Sequence, residues 1–296
     1  MTLSGSPTAW YIRQMTDVSN TLGSQSLKTP RSSADRLVCS LVDTDESALH
    51  ALRQPATMLG LGDPVEIRIG RHRRSIVGLY PTTAIKCYYY QAQENQVREQ
   101  ASMRRWSHFQ VVPDLLASGA CMDGTPWIHM SRLAGQPMDV VELNVYGSGP
   151  PMDLGRILAL LHWHQSVAAD KVMPSTRCTA VHGHGDFGAH NVLVDSPHAN
   201  ATVTGLIDFE KSKVVCFMAD LASYWAHCAT GKAIHWKEFR ESYALNAPKY
   251  IDLTAKHLHT HAAIFGDWAK RSLAHHDTER VLAAIDKLRS GLSRDA

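Results

Sequence analysis

The sequence predicts an α+β fold with two lobes, a small antiparallel-sheet lobe followed by a larger, mainly helical lobe. Three observations support this prediction. Short segments of alternating apolar residues, separated by turn residues, recur between residues 64 and 135, which is typical of antiparallel strands. A strongly apolar segment of helical length follows at 152–167, and further segments with helical spacing fill 236–291. The chain therefore changes from strand-rich to helix-rich near its middle.

We assign the sheet lobe to residues 36–133 and the helical lobe to residues 134–296. Residues 1–35 are rich in Ser and Thr and carry few apolar residues in phase, so we expect a weakly ordered extension there. Residues 37–52 have roughly helical spacing and would begin the sheet lobe. A chain of 296 residues is long enough for two lobes with their own cores.

Five strands are predicted in the sheet lobe, with one helix between the third and the fourth. In order, the strands are 64–69, 75–80, 84–90, 111–119 and 127–135. The helix covers 93–106, and a turn rich in Gly and Arg at 70–74 joins the first two strands.

Composition excludes several classes of protein. Hydrophobic residues make up 44% and charged residues 20% of the chain, and the net charge is +2, so nothing favours nucleic-acid or membrane binding. The N-terminus lacks the pattern of a secretory signal, and no apolar segment is long enough to span a membrane. The six cysteines are scattered without Cys-x-x-Cys pairs, which predicts reduced thiols in a cytoplasmic protein.

The most informative stretch holds three polar side chains around two short predicted strands. The strands, 191–194 and 203–207, would form a hairpin with Asn191 and Asp208 at one end and Asp186 on the loop before it. Such an arrangement suits phosphoryl transfer, because one carboxylate can accept the proton of a hydroxyl while an amide oxygen and a second carboxylate hold magnesium on the phosphates.

Two spacings connect this stretch with kinases. The interval from Asp186 to Asn191 is the Asp-x-x-x-x-Asn of a kinase catalytic loop, and Asp208-Phe209-Glu210 stands where kinases have Asp-Phe-Gly. The alternative interpretation is two turn aspartates and a capping asparagine. The His-Gly before Asp186 and the hairpin after it favour phosphoryl transfer.

The segments 184–195 (HGDFGAHNVLVD) and 205–210 (GLIDFE) resemble the aminoglycoside phosphotransferase and choline kinase superfamily. Its members are small-molecule kinases with a bilobal, protein-kinase-like fold. The resemblance implies ATP and Mg²⁺ as cofactors, with the nucleotide in the cleft between the lobes. It also implies that Asp186 is the catalytic base and that Asn191 and Asp208 are magnesium ligands.

The resemblance further implies a nucleotide-binding set in the sheet lobe. Lys86, at the end of Ala-Ile-Lys, matches the strand lysine that pairs with nucleotide phosphates. Glu99 stands where the family places the glutamate that pairs with this lysine; Glu94 is the rival, and a solvated helix face is the alternative for both. Backbone groups from Met130 to Leu133 would meet the edge of the adenine.

Other features agree less closely with kinases. The sequence has no Gly-x-Gly-x-x-Gly loop, so the arginines of the turn at 70–75 would either touch phosphate or form a basic solvated turn. The family usually has Gly-Asp-Pro where this chain has residues 215–218, and Asp220 after it is expected to cap a helix or bond the catalytic loop. His184 is expected to hold that loop without touching the reacting atoms. His162 and His164 are expected to be packed or capping histidines and not ligands.

The leading functional prediction is an ATP-dependent phosphotransferase that acts on a hydroxyl of a small molecule. A protein kinase is disfavoured because no Ala-Pro-Glu follows Asp208. A catalytically silent protein that binds nucleotide or a partner is the remaining alternative. The substrate stays open between an aminoglycoside-like antibiotic and a sugar or metabolite. From residue 221 onward, eight acidic residues against eleven Lys and Arg slightly favour a neutral or anionic substrate.

Overall fold

The computed structural model describes residues 45–292 with short gaps. The gaps are 71–73, 139–146, 165–171, 174–177, 197, 199, 231–234, 249–254 and 273–274. The extension predicted at 1–35 and the arginines at 71 and 73 therefore lie outside the described residues. Within the described part of the chain, no helix has the length and apolar character needed to cross a membrane.

The chain forms two compact units. The first, the sheet unit, holds the described residues up to Gln136 together with Thr204–Ser212. The second, the helical unit, holds Pro137–Val203 and the described residues from Lys213 onward. The predicted α+β class, with an antiparallel sheet and a mainly helical remainder, is confirmed.

A five-stranded antiparallel sheet forms the centre of the sheet unit. Its strands are β1 (Glu66–Ile69), β2 (Ser75–Leu79), β3 (Thr83–Tyr88), β4 (Leu115–Ala120) and β5 (Pro126–Ser131). They lie in the order β1-β2-β3-β5-β4. All five predicted strands are thus confirmed. The fourth begins four residues later than predicted, after Pro113, which lacks the amide hydrogen that a strand ladder requires.

Two helices cover the two faces of this sheet. They are α1 (Asp45–Met58) and α2 (Ala92–Trp106). Ile85 and Cys87 of β3 share a buried cluster with residues of α1, whereas Tyr88 packs with Met103 of α2. Because successive side chains of a strand point to opposite faces, Lys86 is directed to the face that α2 covers.

Among its described residues, the helical unit contains five helices and four short strands. They are α3 (Gly149–Trp163), β7 (Val172–Met173), β8 (Cys178–Gly183), β9 (Val192–Val194), β11 (Lys213–Cys216), α4 (Met218–Ala229), α5 (Trp236–Asn246), α6 (Ala255–Ser272) and α7 (His275–Leu292). Two further strands, β6 (Gln136–Pro137) and β10 (Val203–Leu206), lie where the chain passes from one unit to the other. Strands β11, β8 and β7 form an antiparallel sheet in that order.

Helix α3 packs closely on α5. A Cβ atom at Gly155 would lie 2.2 Å from the carbonyl oxygen of Phe239, so only glycine permits this approach. The predicted helix 152–167 begins earlier, at Gly149, because its two prolines occupy the first helical positions, where a missing amide hydrogen has no cost.

An aromatic cluster connects the segment around Asp186 to helices α4 and α5. Tyr224 of α4 stacks on Phe239 of α5 with ring centroids 4.1 Å apart. The ring of Phe187 lies 6.2 Å from that of Tyr224 and 6.0 Å from that of Phe239. Phe187 is buried and directly follows Asp186, so the core of the helical unit fixes the backbone of the loop at this point.

The cysteines depart from the sequence-based expectation. Cys87, Cys121 and Cys228 are free thiols, as predicted. Cys216, at the end of β11, is disulfide-bonded, so the expectation of six reduced thiols is wrong. A scattered spacing cannot indicate which cysteines approach one another, because pairing is set by the register of strands that are distant in sequence.

Candidate active site

The sheet unit contains a buried lysine surrounded by carboxylates. The Nζ atom of Lys86 lies 2.7 Å from Oε2 of Glu99 and 2.6 Å from Oδ1 of Asp208. A third carboxylate oxygen, Oε2 of Glu210, lies 3.2 Å away, although its orientation does not make a hydrogen bond. The structure therefore brings together three predicted site residues and adds Glu210.

Glu99 connects Lys86 to two further hydrogen-bond donors. Its Oε2 also accepts a hydrogen bond from the hydroxyl of Tyr88 at 2.7 Å, and its Oε1 accepts one from the backbone N–H of Phe209 at 3.3 Å. Glu94, the rival candidate, instead pairs with Arg98 on the exposed side of α2. The helical spacing explains this choice, because Glu99 lies on the same face of α2 as the buried Met103 and Trp106.

Electrostatics hold the lysine in its charged form. Burial alone would lower the pKa of Lys86, but the negative charges of Asp208, Glu99 and Glu210 outweigh this effect and raise it. Burial raises the pKa of Glu99, and the neighbouring Lys86 opposes that rise. A buried charge of this kind persists only with close partners of opposite sign.

Asp208 adopts an uncommon backbone conformation. Its φ of 68° lies in the left-handed region, which aspartate tolerates better than most residues with a side chain. The next residue, Phe209, is fully buried, and its ring lies 5.3 Å from that of Trp106 in α2. The anchored Phe209 thus keeps the turn tight and directs the Asp208 carboxylate to Lys86.

In the helical unit, Asp220 anchors the loop that precedes Asp186. Its Oδ2 accepts a hydrogen bond from the backbone N–H of His184 at 2.7 Å, and its Oδ1 accepts one from that of Gly185 at 2.9 Å. Asp220 is 1% exposed and lies in the first turn of α4. Its expected role of bonding the catalytic loop agrees with these contacts.

Asp220 is itself held by a chain of buried hydrogen bonds. His162 of α3 donates from Nε2 to Asp220 at 3.0 Å, and its Nδ1 lies 2.9 Å from the hydroxyl of Tyr243 in α5. Trp163 donates its indole N–H to the same hydroxyl at 3.2 Å. Burial alone would raise the pKa of Asp220, but the hydrogen bond and charge of His162, with the backbone donors, lower it below its ordinary value.

Asn191 fixes the loop after Asp186. Its side-chain Nδ2 donates to the carbonyl oxygen of Asp186 at 2.9 Å, across a single turn of 3-10 helix, Ala189–Asn191. This bond uses the amide nitrogen, so the amide oxygen takes no part in it. Asp186 is therefore placed on a backbone fixed from both sides, by Asp220 before it and by Asn191 after it.

The remaining predicted residues have less specific surroundings. His184 is buried, and its ring packs edge-on against Phe187 at 5.9 Å. Met130 lies within β5, and Leu133 follows that strand. The sequence analysis did not predict Tyr88, Glu210 or Tyr243 as part of the site. Glu210 was indicated only by its position two residues after Asp208, and Tyr88 by its position two residues after Lys86 on the same face of β3.

The donor set fits a hard divalent cation. Carboxylate oxygens of Glu99, Asp208 and Glu210 all lie within 4.8 Å of one another. The Oε2 atom of Glu210 is buried and, among the described residues, receives no hydrogen bond, although the Lys86 ammonium lies 3.2 Å away. A buried carboxylate oxygen without a hydrogen bond is costly, and a bound cation would offset that cost. Oxygen ligands of this type suit Mg²⁺.

Comparison with known proteins agrees with these geometries. Residues 152–247 match the phosphotransferase enzyme family. No curated protein sequence matches the chain. The match covers about a third of the chain and agrees with the superfamily and the phosphotransferase activity expected from the sequence. It covers α3 through α5 and so includes Asp186, Asn191, Asp208 and Asp220.

Solved structures of phosphotransferases have a similar fold over most of this chain. The GDP complex of aminoglycoside 2'-phosphotransferase-IIIa is similar over 82% of this chain and 99% of that chain, with 14% identity and a TM-score of 0.55. An aminoglycoside phosphotransferase, APH(3'')-Id from Streptomyces rimosus, covers 72% and 95%, with 14% identity and a TM-score of 0.52. A macrolide 2'-phosphotransferase from Brachybacterium faecium covers 80% and 98%, with 17% identity and a TM-score of 0.51. At these identities the similarity shows the fold alone.

The matched segment also contains this chain's departure from the phosphotransferase pattern. Where the family usually has Gly-Asp-Pro, the chain continues β11 and turns directly into α4 at Phe217. Phe217 is buried and stacks parallel to the ring of Tyr243, with centroids 6.4 Å apart. Despite this departure, Asp220 still bonds the loop that carries Asp186, and Phe217 makes an aromatic packing contact next to it.

Proposed function

We propose that this protein transfers the terminal phosphate of ATP to a hydroxyl group of a small molecule. The observation that carries the proposal is the placement of Asp186 on a loop whose backbone is bonded on both sides, by Asp220 and by Asn191. A carboxylate held in this way suits a general base, because its position does not have to be acquired during the reaction.

The proposed reaction is a single displacement. The oxygen of the acceptor hydroxyl forms a bond to the γ-phosphorus of ATP, and the bond from that phosphorus to the bridging β,γ-oxygen breaks, releasing ADP. The Asp186 carboxylate orients the hydroxyl and accepts its proton. Lys86, kept charged by its three carboxylate neighbours, would bind the phosphates of the nucleotide.

We assign Mg²⁺ to the oxygens of Asn191 and Asp208. When bound, the cation would neutralise charge on the phosphates. Glu99 keeps Lys86 in place, and backbone groups between Met130 and Leu133 remain the proposed contacts of the adenine. His184 is proposed to support the loop, since its ring packs against Phe187.

The acceptor is proposed to be a neutral or anionic sugar or metabolite, with an aminoglycoside-like antibiotic as the competing class. The charge balance after residue 221 supports the first class, because a polycation binds best to an acidic surface. The solved structures support the second class, since they include complexes of phosphotransferases with kanamycin and with streptomycin.

A panel of acceptors, followed by ATP consumption, tests the proposal. The panel contains aminoglycosides, macrolides, neutral sugars, choline and homoserine. We expect ADP to form with at least one class, and Asp186→Asn to lower kcat by about 10²–10⁴ while the Kd of ATP stays nearly unchanged. Turnover by Asp186→Asn at the wild-type rate would refute the role of Asp186 as the base, whereas ATP binding without transfer to any acceptor would favour the catalytically silent alternative.

A further inference from the structure

The bonds described so far act on the backbone around Asp186. Asp220 bonds the amides of His184 and Gly185, and Asn191 bonds the carbonyl oxygen of Asp186. On a fixed backbone, the position of a carboxylate also depends on its side-chain torsion angles. A general base therefore gains from a donor that holds one oxygen and leaves the other for the acceptor hydroxyl.

His190 is placed to supply that donor. Its Nε2 atom lies 3.8 Å from Oδ2 of Asp186, one turn of the loop away, and both side chains are 23% exposed. The two groups are therefore close to each other and partly accessible to solvent. A separation of 3.8 Å is closed by a bridging water or by the tightening that catalytic contacts show when substrate binds.

A second histidine supports the first from the neighbouring helix. His227, in the last turn of α4, packs edge-on against the ring of His190, with centroids 5.3 Å apart and planes at 79°. This perpendicular arrangement is a favourable one for aromatic rings and restricts rotation of the His190 side chain.

Gly188 makes this contact sterically feasible. Its φ of −166° is an extended conformation that any residue adopts, so backbone conformation does not require glycine here. Space does: a Cβ atom at this position would lie 2.2 Å from Cε1 of His227 and 3.0 Å from Cε1 of His190. A glycine thus stands at the position of the loop against which the two histidine rings pack.

We propose that His190 is a positioning residue, which holds the carboxylate of Asp186 for proton transfer and is supported by His227 through the gap at Gly188. The proposal rests on the proposed function, since it gives Asp186 the role of base. It does not depend on the charge of His190, because a neutral imidazole with its hydrogen on Nε2 and an imidazolium both donate from that atom.

Within the described part of the chain, Asp186, His190 and His227 do not form a metal site. Among the described residues, three ligand atoms of His, Cys, Asp or Glu converge at Glu99, Asp208 and Glu210, and not at Asp186, His190 and His227. A contact between side chains is therefore the role that the geometry supports.

Kinetics of three variants test the role. His190→Leu keeps the bulk and removes the donor, whereas His190→Gln keeps an N–H donor at similar reach; His198→Leu removes an exposed imidazole elsewhere as a control. We expect His190→Leu to lower kcat about tenfold with unchanged Kd for ATP, and His190→Gln to recover to within about threefold of wild type. A loss that His190→Gln does not recover would overturn the proposal, since it would indicate packing only.

A double-mutant cycle separates action through Asp186 from independent action. In the Asp186→Asn background, His190→Leu should have no further effect on kcat, because the group it positions is already gone. Multiplicative losses would overturn the proposal.

An NMR measurement keeps this test separate from the proposed function. In full-length protein with ¹⁵N-labelled histidine, we expect Asp186→Asn to change the imidazole nitrogen shifts of His190, assigned by their loss in His190→Gln, while Asp153→Asn leaves them unchanged. If wild type transfers phosphate to no acceptor but this change is seen, the proposed function fails and the contact stands. If the shifts do not change, the contact is refuted whatever the activity.

Discussion

At the scale of single residues, the site depends on one cation among three carboxylates. Lys86 is 4% exposed and Glu99 1%, so neither charge is hydrated by bulk water. The group is stable because each partner offsets the desolvation of another, and the loss of one partner leaves the others uncompensated. Asp208, with a 34% exposed side chain, is the member that still reaches solvent and is therefore available to a ligand.

Glu99→Gln tests this dependence. All contacts of Glu99 are with donors, namely Lys86 and Tyr88 on one oxygen and the Phe209 amide on the other. In the glutamine variant, the amide nitrogen would replace one of these oxygens and would face a donor. The substitution would also remove the negative charge. We expect the free energy of unfolding to fall by about 1–3 kcal/mol and kcat/KM for ATP to fall at least about tenfold.

Glu94→Gln is the matched control on the same helix. Glu94 pairs with Arg98 at a side chain that is 57% exposed, and we expect a change in unfolding free energy within about 0.5 kcal/mol. Denaturant unfolding of both variants, with steady-state kinetics in ATP, gives the comparison. Equal effects of the two substitutions would show that the buried cluster contributes no more to stability or activity than the exposed ion pair.

The sequence could identify residues whose spacing is itself a motif. Asp186, Asn191 and Asp208 belong to one short stretch, and Lys86 and Glu99 follow a spacing typical of the family. Residues that act through contacts between distant elements could not be identified in this way. Tyr243 reaches His162 across 81 positions of sequence, and no local pattern marks a tyrosine that will bond a histidine on another helix.

At the scale of elements, helix α4 positions the catalytic loop. The carboxylate of Asp220 bonds two successive backbone amides of the loop, and His162 of α3 bonds that carboxylate in turn. Predicted strands and helices agree with the structure because alternation and helical spacing report burial directly. Their ends shift by several residues where proline or packing of another element decides, as at Gly149, where α3 begins.

Asp220→Asn should loosen this connection. One asparagine oxygen can accept from His162 and His184, but its amide group would then face the N–H of Gly185, so we expect unfolding free energy to fall by roughly 2–4 kcal/mol and kcat by about tenfold. Asp153→Asn, on α3 with a partly exposed side chain, is the control and should change stability by less than about 0.5 kcal/mol.

The lowered pKa of Asp220 predicts how its contribution to stability changes with pH. The folded pKa of Asp220 lies below its ordinary value of 3.8, so the unfolded chain binds this proton first as the pH falls. Its stabilisation is therefore complete above about pH 4 and is lost as the pH falls through the folded pKa. The difference in Tm between wild type and Asp220→Asn should be constant from pH 7 to about pH 4 and narrow below it. A difference that widens in acid would contradict this assignment.

At the scale of the whole molecule, the boundary between compact units does not follow the order of the chain. Residues Thr204–Ser212, which carry Asp208, belong to the sheet unit although they follow Asp186 and Asn191 of the helical unit. The backbone supports this membership, since the N–H of Leu206 donates to the carbonyl oxygen of Val111 and Phe209 packs on α2. A single boundary at 133/134, predicted from the sequence, could not assign residues 204–212 to the sheet unit. Their membership depends on tertiary contacts that no local pattern reveals.

Ligand binding should therefore stabilise the protein only when nucleotide and cation are both present. A ligand that binds the folded state alone stabilises it by RT ln(1 + [L]/Kd), which is about 2.7 kcal/mol at a hundredfold excess over Kd. For a chain of this size that corresponds to a rise in Tm of about 5 °C with Mg²⁺ and ATP. A strong chelator should abolish most of the rise.

Asp208→Asn is the decisive variant for this last prediction, and Asp195→Asn is its control. Asparagine at 208 keeps the size of the side chain but removes the charge that we assign to the cation and to Lys86. Asp195 is an exposed aspartate of the turn after β9, where asparagine retains an oxygen that can accept from the Thr202 amide. We expect the Mg²⁺-dependent rise in Tm to be lost in Asp208→Asn and retained in Asp195→Asn. If Asp208→Asn keeps the full rise, the cation is held elsewhere, and the assignment of Asp208 as its ligand is wrong.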